Sequence, residues 1–260
     1  MRLVSDVVYT HRMNSTNEWF ERGHVAIVTG ASKGFGRAVA RLLARRGLRL
    51  VIDARGEGTL REAERELRAF GDIVAIAGDV TQSAHVHRLV QAAKDEFGRI
   101  DLVVNNASSI GRSPMPPLEQ LSPAVFERVF ATNVYAPLHL VQHALPLLRE
   151  ARGTIVNVTS DAAVAAYEGW GGYGASKAAL EHLSHILAIE LHGSGVRVIV
   201  ADPGNMNTEL HEQAEPEADL SELPRAEDVA PALLDAIAAA NEPFSRVELQ
   251  SLPSFRAVPA

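Results

Sequence analysis

Tyr173 and Lys177 stand four positions apart in the segment Tyr-Gly-Ala-Ser-Lys. On a helix, residues i and i+4 share a face, so the phenol and the ammonium converge on one site. A free tyrosine, with a pKa of about 10, is a poor acid–base catalyst near neutrality. A fixed positive charge beside it favours phenolate and draws that pKa toward the working pH. The chain has three lysines against twenty-two arginines, so lysine is kept for places where a compact, strongly hydrated point charge serves. By itself the pair reads equally well as a surface lysine that happens to follow a tyrosine.

A second segment with chemical meaning is Thr29-Gly30-Ala31-Ser32-Lys33-Gly34-Phe35-Gly36. Glycines between a strand and a helix let the backbone turn tightly and approach a phosphate, which then sits at the positive end of the helix. The spacing is Gly-x3-Gly-x-Gly rather than the more common G-x-G-x-x-G. The octet also contains Gly30-x-Ser32-x-Gly34, the nucleophile-elbow pattern of α/β-hydrolases. An elbow lies deep in a hydrolase sheet, whereas twenty-nine residues precede this turn and no His-Gly-Gly-type segment lies upstream. The phosphate reading is the better fit.

The elements that must position these residues alternate. Short apolar runs at 24–29, 48–53, 73–77, 101–105, 154–158, 196–201 and 246–250 read as strands. Helical patterns occupy 34–46, 57–70, 82–97, 123–150, 173–192 and 225–240, the fourth entered by Ser122-Pro123, a good N-cap and first-turn pair. Near-continuous apolar strands spaced by helices predict a doubly wound parallel sheet, an α/β/α Rossmann-like domain covered on both faces. At 260 residues the chain suits one large domain. Residues 1–22, polar and mixed in charge, read as an extension ahead of a domain spanning 23–260, with Met13 an alternative start.

Composition narrows the function classes. A formal charge of −7 disfavours nucleic acid and anionic membranes as partners, and the absence of cysteine excludes disulfides and thiolate metal sites. No apolar run reaches the length of a membrane span, and the N-terminus lacks the apolar core of a secretion signal, so a cytoplasmic location is expected. His139 with His143, and His182 with His185, have helical spacing but no adjacent acid in a zinc-protease pattern, and no metal is expected.

With both motifs in place, the chain resembles the short-chain dehydrogenase/reductase family over roughly residues 23–240. Asn105-Asn106-Ala107 follows the fourth strand where the family has Asn-Asn-Ala-Gly, Ser108 standing for that glycine. The resemblance implies a catalytic set of Asn133, Ser160, Tyr173 and Lys177. Tyr173 would exchange a proton with the substrate oxygen and Ser160 would hold that oxygen. Lys177 would lower the tyrosine pKa and grip the nicotinamide ribose, and Asn133 would anchor a water. It further implies a dinucleotide site made of Gly30, Ser32, Lys33, Gly34, Phe35 and Gly36 at the turn, Asp79 and Val80 at the adenine, Asn106 and Ala107 after the fourth strand, and Pro203, Gly204 and Thr208 closing over the nicotinamide.

An acid some twenty residues past the glycines usually holds the ribose hydroxyls of NAD(H), and Asp53 has about that spacing. Aligned to the family, Asp53 falls one position early, Ala54 takes the place of the acid and Arg55 follows. Arg55 and Lys33 match basic residues used for a 2′-phosphate, so NADP(H) is expected ahead of NAD(H). The pocket segments 110–118, 161–172 and 205–223 supply Met115, Tyr167, Trp170 and Met206 among many alanines. They suggest a medium-sized, largely apolar ketone or secondary alcohol, with an acidic loop 209–224 as lid. The family's interface helices imply a homodimer or homotetramer. The same fold without the chemistry, a nucleotide-binding regulator, is the alternative, although such proteins typically lose the tyrosine or lysine that this chain retains.

Overall fold

The computed structural model describes residues 22–255 together with Phe20. Seven strands form one sheet: β1 (Val25–Val28), β2 (Arg49–Ala54), β3 (Ile73–Ala77), β4 (Leu102–Asn105), β5 (Thr154–Val158), β6 (Arg197–Asp202) and β7 (Phe244–Glu248). All neighbours are parallel, in the order β3-β2-β1-β4-β5-β6-β7. The order reverses between β1 and β4, which opens a crevice at the C-terminal ends of the strands, the place where such sheets bind ligands.

Each central strand buries both faces because its side chains alternate between two cores. From β1, Ala26 and Val28 join α1 (Gly34–Arg45) and α8 (Ala226–Ala239), whereas Val25 and Ile27 join α3 (Ser83–Phe97) and α5 (Ala136–Ala151). Burial of each Val, Leu or Ile contributes about 1.5–3 kcal/mol, so the apolar runs fix the sheet's position between the two helical layers. The remaining helices are α2 (Glu57–Leu67), α4 (Pro123–Phe130), α6 (Gly171–Glu190) and α7 (Glu209–Ala214). Phe20 is itself buried against the α1 side. The rest of the expected extension, residues 1–19 and 21, lies outside the described residues.

Three boundaries differ from the sequence reading. The single helix expected over 123–150 is interrupted by a π-helical turn, Ala131–Tyr135, after which α5 restarts with Pro137 in its first turn. The last strand runs 244–248, two residues earlier than expected. Register against β6 starts at Val198↔Phe244, and Leu249 is buried from a 3-10 turn that follows, Leu249–Ser251. The acidic lid segment contains α7, capped by Thr208, whose hydroxyl accepts from the His211 N–H.

Candidate active site

The Gly-rich turn leaves β1 with Gly30 at φ +66° and enters α1 at Gly34 with φ +54°. A Cβ on Gly36 would lie 2.3 Å from Asn106 Nδ2 and 2.5 Å from the Gly30 carbonyl oxygen, so no side chain fits there. Asn106 uses that closeness, its amide donating to the carbonyls of Thr29 at 2.9 Å and Gly30 at 3.2 Å. The backbone N–H groups of Asn106 and Ala107 both donate to the Thr29 hydroxyl. Ser32 is buried in the turn rather than presented on an exposed elbow, which is not what a nucleophile elbow requires.

Asp53 faces inward. Its buried carboxylate accepts the Gly30 N–H at 2.8 Å through one oxygen and meets His85 Nε2 at 2.9 Å through the other. It braces the Gly-rich turn, with both oxygens engaged, and is not directed at a ribose. Arg55 is exposed and lines the cleft. Lys33 is also exposed, and its ammonium lies 2.5 Å from Glu209 at the start of α7. Asp79 closes its own turn, accepting the Thr81 N–H, with Gly78 and Val80 lining the cleft beside it.

Tyr173 and Lys177 occupy the first two turns of α6, which begins at Gly171. Both are buried, with the ammonium 5.5 Å from the centroid of the phenol ring. Lys177 Nζ donates to the Val158 carbonyl at 2.8 Å, tying α6 to the end of β5. Ser160 lies just past that strand and caps the following 3-10 turn, its hydroxyl accepting the Ala162 N–H. Asn133 stands in the π-helical turn, a feature common at functional sites. It grips Ser109 through both backbone groups and donates to the Ser176 hydroxyl at 2.9 Å. Ser176 in turn donates to the Tyr173 carbonyl at 2.6 Å. The four residues expected in the catalytic set are therefore held on one scaffold, and Ser160, Tyr173 and Lys177 line a cleft of about 1040 Å³ that runs from the Gly-rich turn.

The electrostatics correct one expectation. The Tyr173 pKa is pushed up to about 12, not down, because burial disfavours the phenolate. Hydrogen bonds from Ser108 and Ser160 oppose the rise, while the charges of Asp202 and Asp161 add to it. Burial likewise lowers Lys177 to about 8, against the pull of Asp202 and Glu181. Lys177 directs its ammonium to the Val158 carbonyl, and burial outweighs the depression of the phenol expected from it.

Several neighbours escape sequence reasoning. Ser108, in the place of the family glycine, donates to Asn133 Oδ1 at 3.3 Å. Asp202 at the end of β6 lies 3.6 Å from Arg246, which bonds Glu181, itself bonded to Thr159. No local signal marks these contacts, because each joins separate strands or helices. Of the expected pocket residues, Trp170 and Met206 line the cleft and Met115 packs behind it, whereas Tyr167 is exposed beyond its rim. Pro203, Gly204 and Thr208 also line it, with Gln250 bonded to the Pro203 carbonyl. The histidine pairs have packing partners: His143 sits edge-on to His87, and His185 stacks on Phe244.

Comparison with known proteins bears on what this arrangement is. The family model described as short chain dehydrogenase matches residues 24–219. The rhamnolipids biosynthesis 3-oxoacyl-[acyl-carrier-protein] reductase of Pseudomonas aeruginosa is 36% identical over 213 residues, covering 78% of this chain and 82% of that protein. The L-fucose dehydrogenase of Oryctolagus cuniculus is 37% identical over 205 residues, covering 78% of this chain and 69% of its own. A structure from Escherichia coli CFT073, complexed with NADPH, superposes with a TM-score of 0.80 at 27% identity, covering 91% of this chain and all of that one (100%). Matched over most of its described length in sequence and in fold, this chain belongs to the short-chain dehydrogenase family.

Proposed function

We propose that the protein is an NADP(H)-dependent oxidoreductase that interconverts a ketone and a secondary alcohol on a medium-sized, largely apolar substrate, with Tyr173 as general acid and base. The observation that carries this reading is the convergence of Tyr173, Ser160 and Lys177 on the same cleft as the Gly-rich turn. The cleft is suited to a dinucleotide: the Gly-rich turn lines it through Gly30 and Gly34, and Asp53 is already bound to Gly30 and His85. With Ala54 in the place of a ribose-binding acid, Arg55 and Lys33 are the residues that would hold a 2′-phosphate. The E. coli relative complexed with NADPH is consistent with that choice.

The cofactor, when bound, supplies or accepts the hydride. The rest is work for the chain. A tyrosine raised to about 12 stands as phenol at neutral pH, ready to give its proton to a carbonyl oxygen. Ser160 positions that oxygen and shares its developing charge. Lys177, anchored on Val158, would hold the nicotinamide ribose beside the phenol, and Asn133 holds the segment Ser108–Ser109 against α6 through Ser176. Ile110, Met206 and Trp170 line the cleft and would shield the reacting centre from water.

A panel of ketones and alcohols read by NADPH absorbance tests the activity. Tyr173→Phe removes only the hydroxyl, so NADPH binding persists while turnover falls by a factor on the order of 10² or more. Near-normal turnover of that variant would show the assignment of Tyr173 to be wrong.

A further inference from the structure

Gln250 sits in the 3-10 turn that follows β7, beside Leu249, whose buried side chain anchors the turn in the core. Its side-chain amide carries two hydrogens, and both are spent on one loop. The amide nitrogen donates to the Pro203 carbonyl at 2.9 Å and to the Asn205 carbonyl at 2.8 Å. These bonds straddle Gly204, which has a φ of +68° and leaves room for the amide, since a Cβ there would lie 2.7 Å from Gln250 Nε2. Asp202 holds the loop from the strand side, its carboxylate accepting the Gly204 N–H at 2.9 Å.

The loop stands at the reacting end of the cleft. It leaves β6 just past Ala201, whose carbonyl accepts the Thr159 N–H at 2.8 Å, one residue before Ser160. Pro203, Gly204, Asn205 and Met206 line the cleft together with Ser160, Tyr173 and Lys177, whereas Gln250 is not among the lining residues. A trans peptide unit is planar, and its C=O and N–H point in opposite directions. Turning the Asn205 carbonyl back to Gln250 therefore turns the Met206 N–H toward the cleft, and among the described residues that N–H has no protein acceptor.

We propose that Gln250 is a positioning residue for the cofactor: by pinning the carbonyls on both sides of Gly204 it aims the Met206 N–H at the nicotinamide carboxamide and so fixes the ring beside Ser160 and Tyr173. The proposal rests on the reading of the cleft as an NADP(H) site. Only the nicotinamide end of the cofactor depends on Gln250, because the Gly-rich turn is braced separately, through the bond from Gly30 to Asp53.

The test compares two ligands by titration calorimetry on the full chain: NADPH, and 2′-phospho-ADP-ribose, which lacks the nicotinamide ring. Gln250→Met keeps the length of the side chain and loses both donors. Its Kd for NADPH rises about tenfold, while its Kd for the ring-free ligand stays within about twofold of wild type. Gln250→Glu keeps the size but can only accept when ionised, so it sets a carboxylate against two carbonyl oxygens. It loses at least as much NADPH affinity, again without loss of the ring-free ligand, and stands in if the first variant does not fold. A merely structural role would lower the Tm and weaken both ligands alike. That outcome would overturn the proposal, as would unchanged NADPH binding in either folded variant. Failure of the underlying reading looks different: wild type would then bind neither ligand, and the proposal would fall with it.

Discussion

Asp53 and His85 are joined by a 2.9 Å hydrogen bond, both sealed from solvent, and that contact links β2 to α3 beside Gly78 at the edge of the cleft. Arg88 approaches the other ring nitrogen of His85 at 3.1 Å. Arginine can only donate, so the imidazole carries its hydrogen on Nε2 and gives it to Asp53. The ring lies flat under Gly78, where a Cβ would come within 2.2 Å of Nδ1. The carboxylate whose spacing suggests a ribose ligand is instead a bolt for the Gly-rich turn, through Gly30.

His85→Ala should therefore cost stability and loosen the turn together. A buried carboxylate that loses one of two partners costs on the order of 2–3 kcal/mol, which thermal melting reports as a lower Tm. The KM for cofactor should rise with it. An unchanged Tm would mean that water replaces the imidazole without penalty.

Cofactor choice follows from the same geometry. Each charge-assisted bond to a 2′-phosphate contributes roughly 1.5–3 kcal/mol, and about 1.4 kcal/mol is tenfold. NADPH should then exceed NADH in kcat/KM by about one to three orders of magnitude. Arg55→Ala should remove at least about tenfold of that preference and leave NADH use nearly unchanged. Lys33 is paired with Glu209 on the lid, so Glu209→Gln should strengthen NADPH binding and not NADH binding. A wild-type preference for NADH would refute the assignment of Arg55 and Lys33 and leave the catalytic set standing.

Local rules carried most of this site into view. Tyr173 and Lys177 meet because i and i+4 share a helical face, and the Gly-rich turn declares itself between a strand and a helix. The sheet was readable because strands buried on both faces are nearly all apolar. Contacts between distant segments were not readable: Asp53 with His85, Lys33 with Glu209, Asp202 with Arg246. The direction of the Tyr173 pKa shift was misread for the same reason. Helical spacing places the ammonium nearby, but only the fold shows how deeply both groups are buried and that Lys177 turns to Val158.

Assembly is a further expectation. Phe126 of α4, Tyr135 of the π-helical turn, and Ile186 and Ile189 of α6 are large apolar side chains left exposed, on the helices expected to form an interface. Such patches mark association surfaces. Light scattering should report a mass of two or four chains, and Ile189→Glu should reduce it. A clean monomer at micromolar concentration would contradict the interface.

The buried charges also predict how stability changes with pH, and the two central residues act in opposite directions. Lys177 titrates at about 8 when folded against 10.5 in its ordinary state, so between those values the unfolded chain binds more protons and stability rises with pH. Tyr173 titrates at about 12 when folded against 10.0, so above pH 10 the folded chain holds the extra proton and stability falls. The window from pH 8 to 10 isolates the lysine. Below it, the buried ammonium carries its full desolvation cost, on the order of 3 kcal/mol at about 1.4 kcal/mol per pKa unit. Lys177→Met removes that cost along with activity. The variant should melt several degrees above wild type at pH 7, and the gap should narrow steadily toward pH 10. A gap that stays constant across the window would mean that the Val158 carbonyl, with Asp202 and Glu181, fully compensates the buried charge.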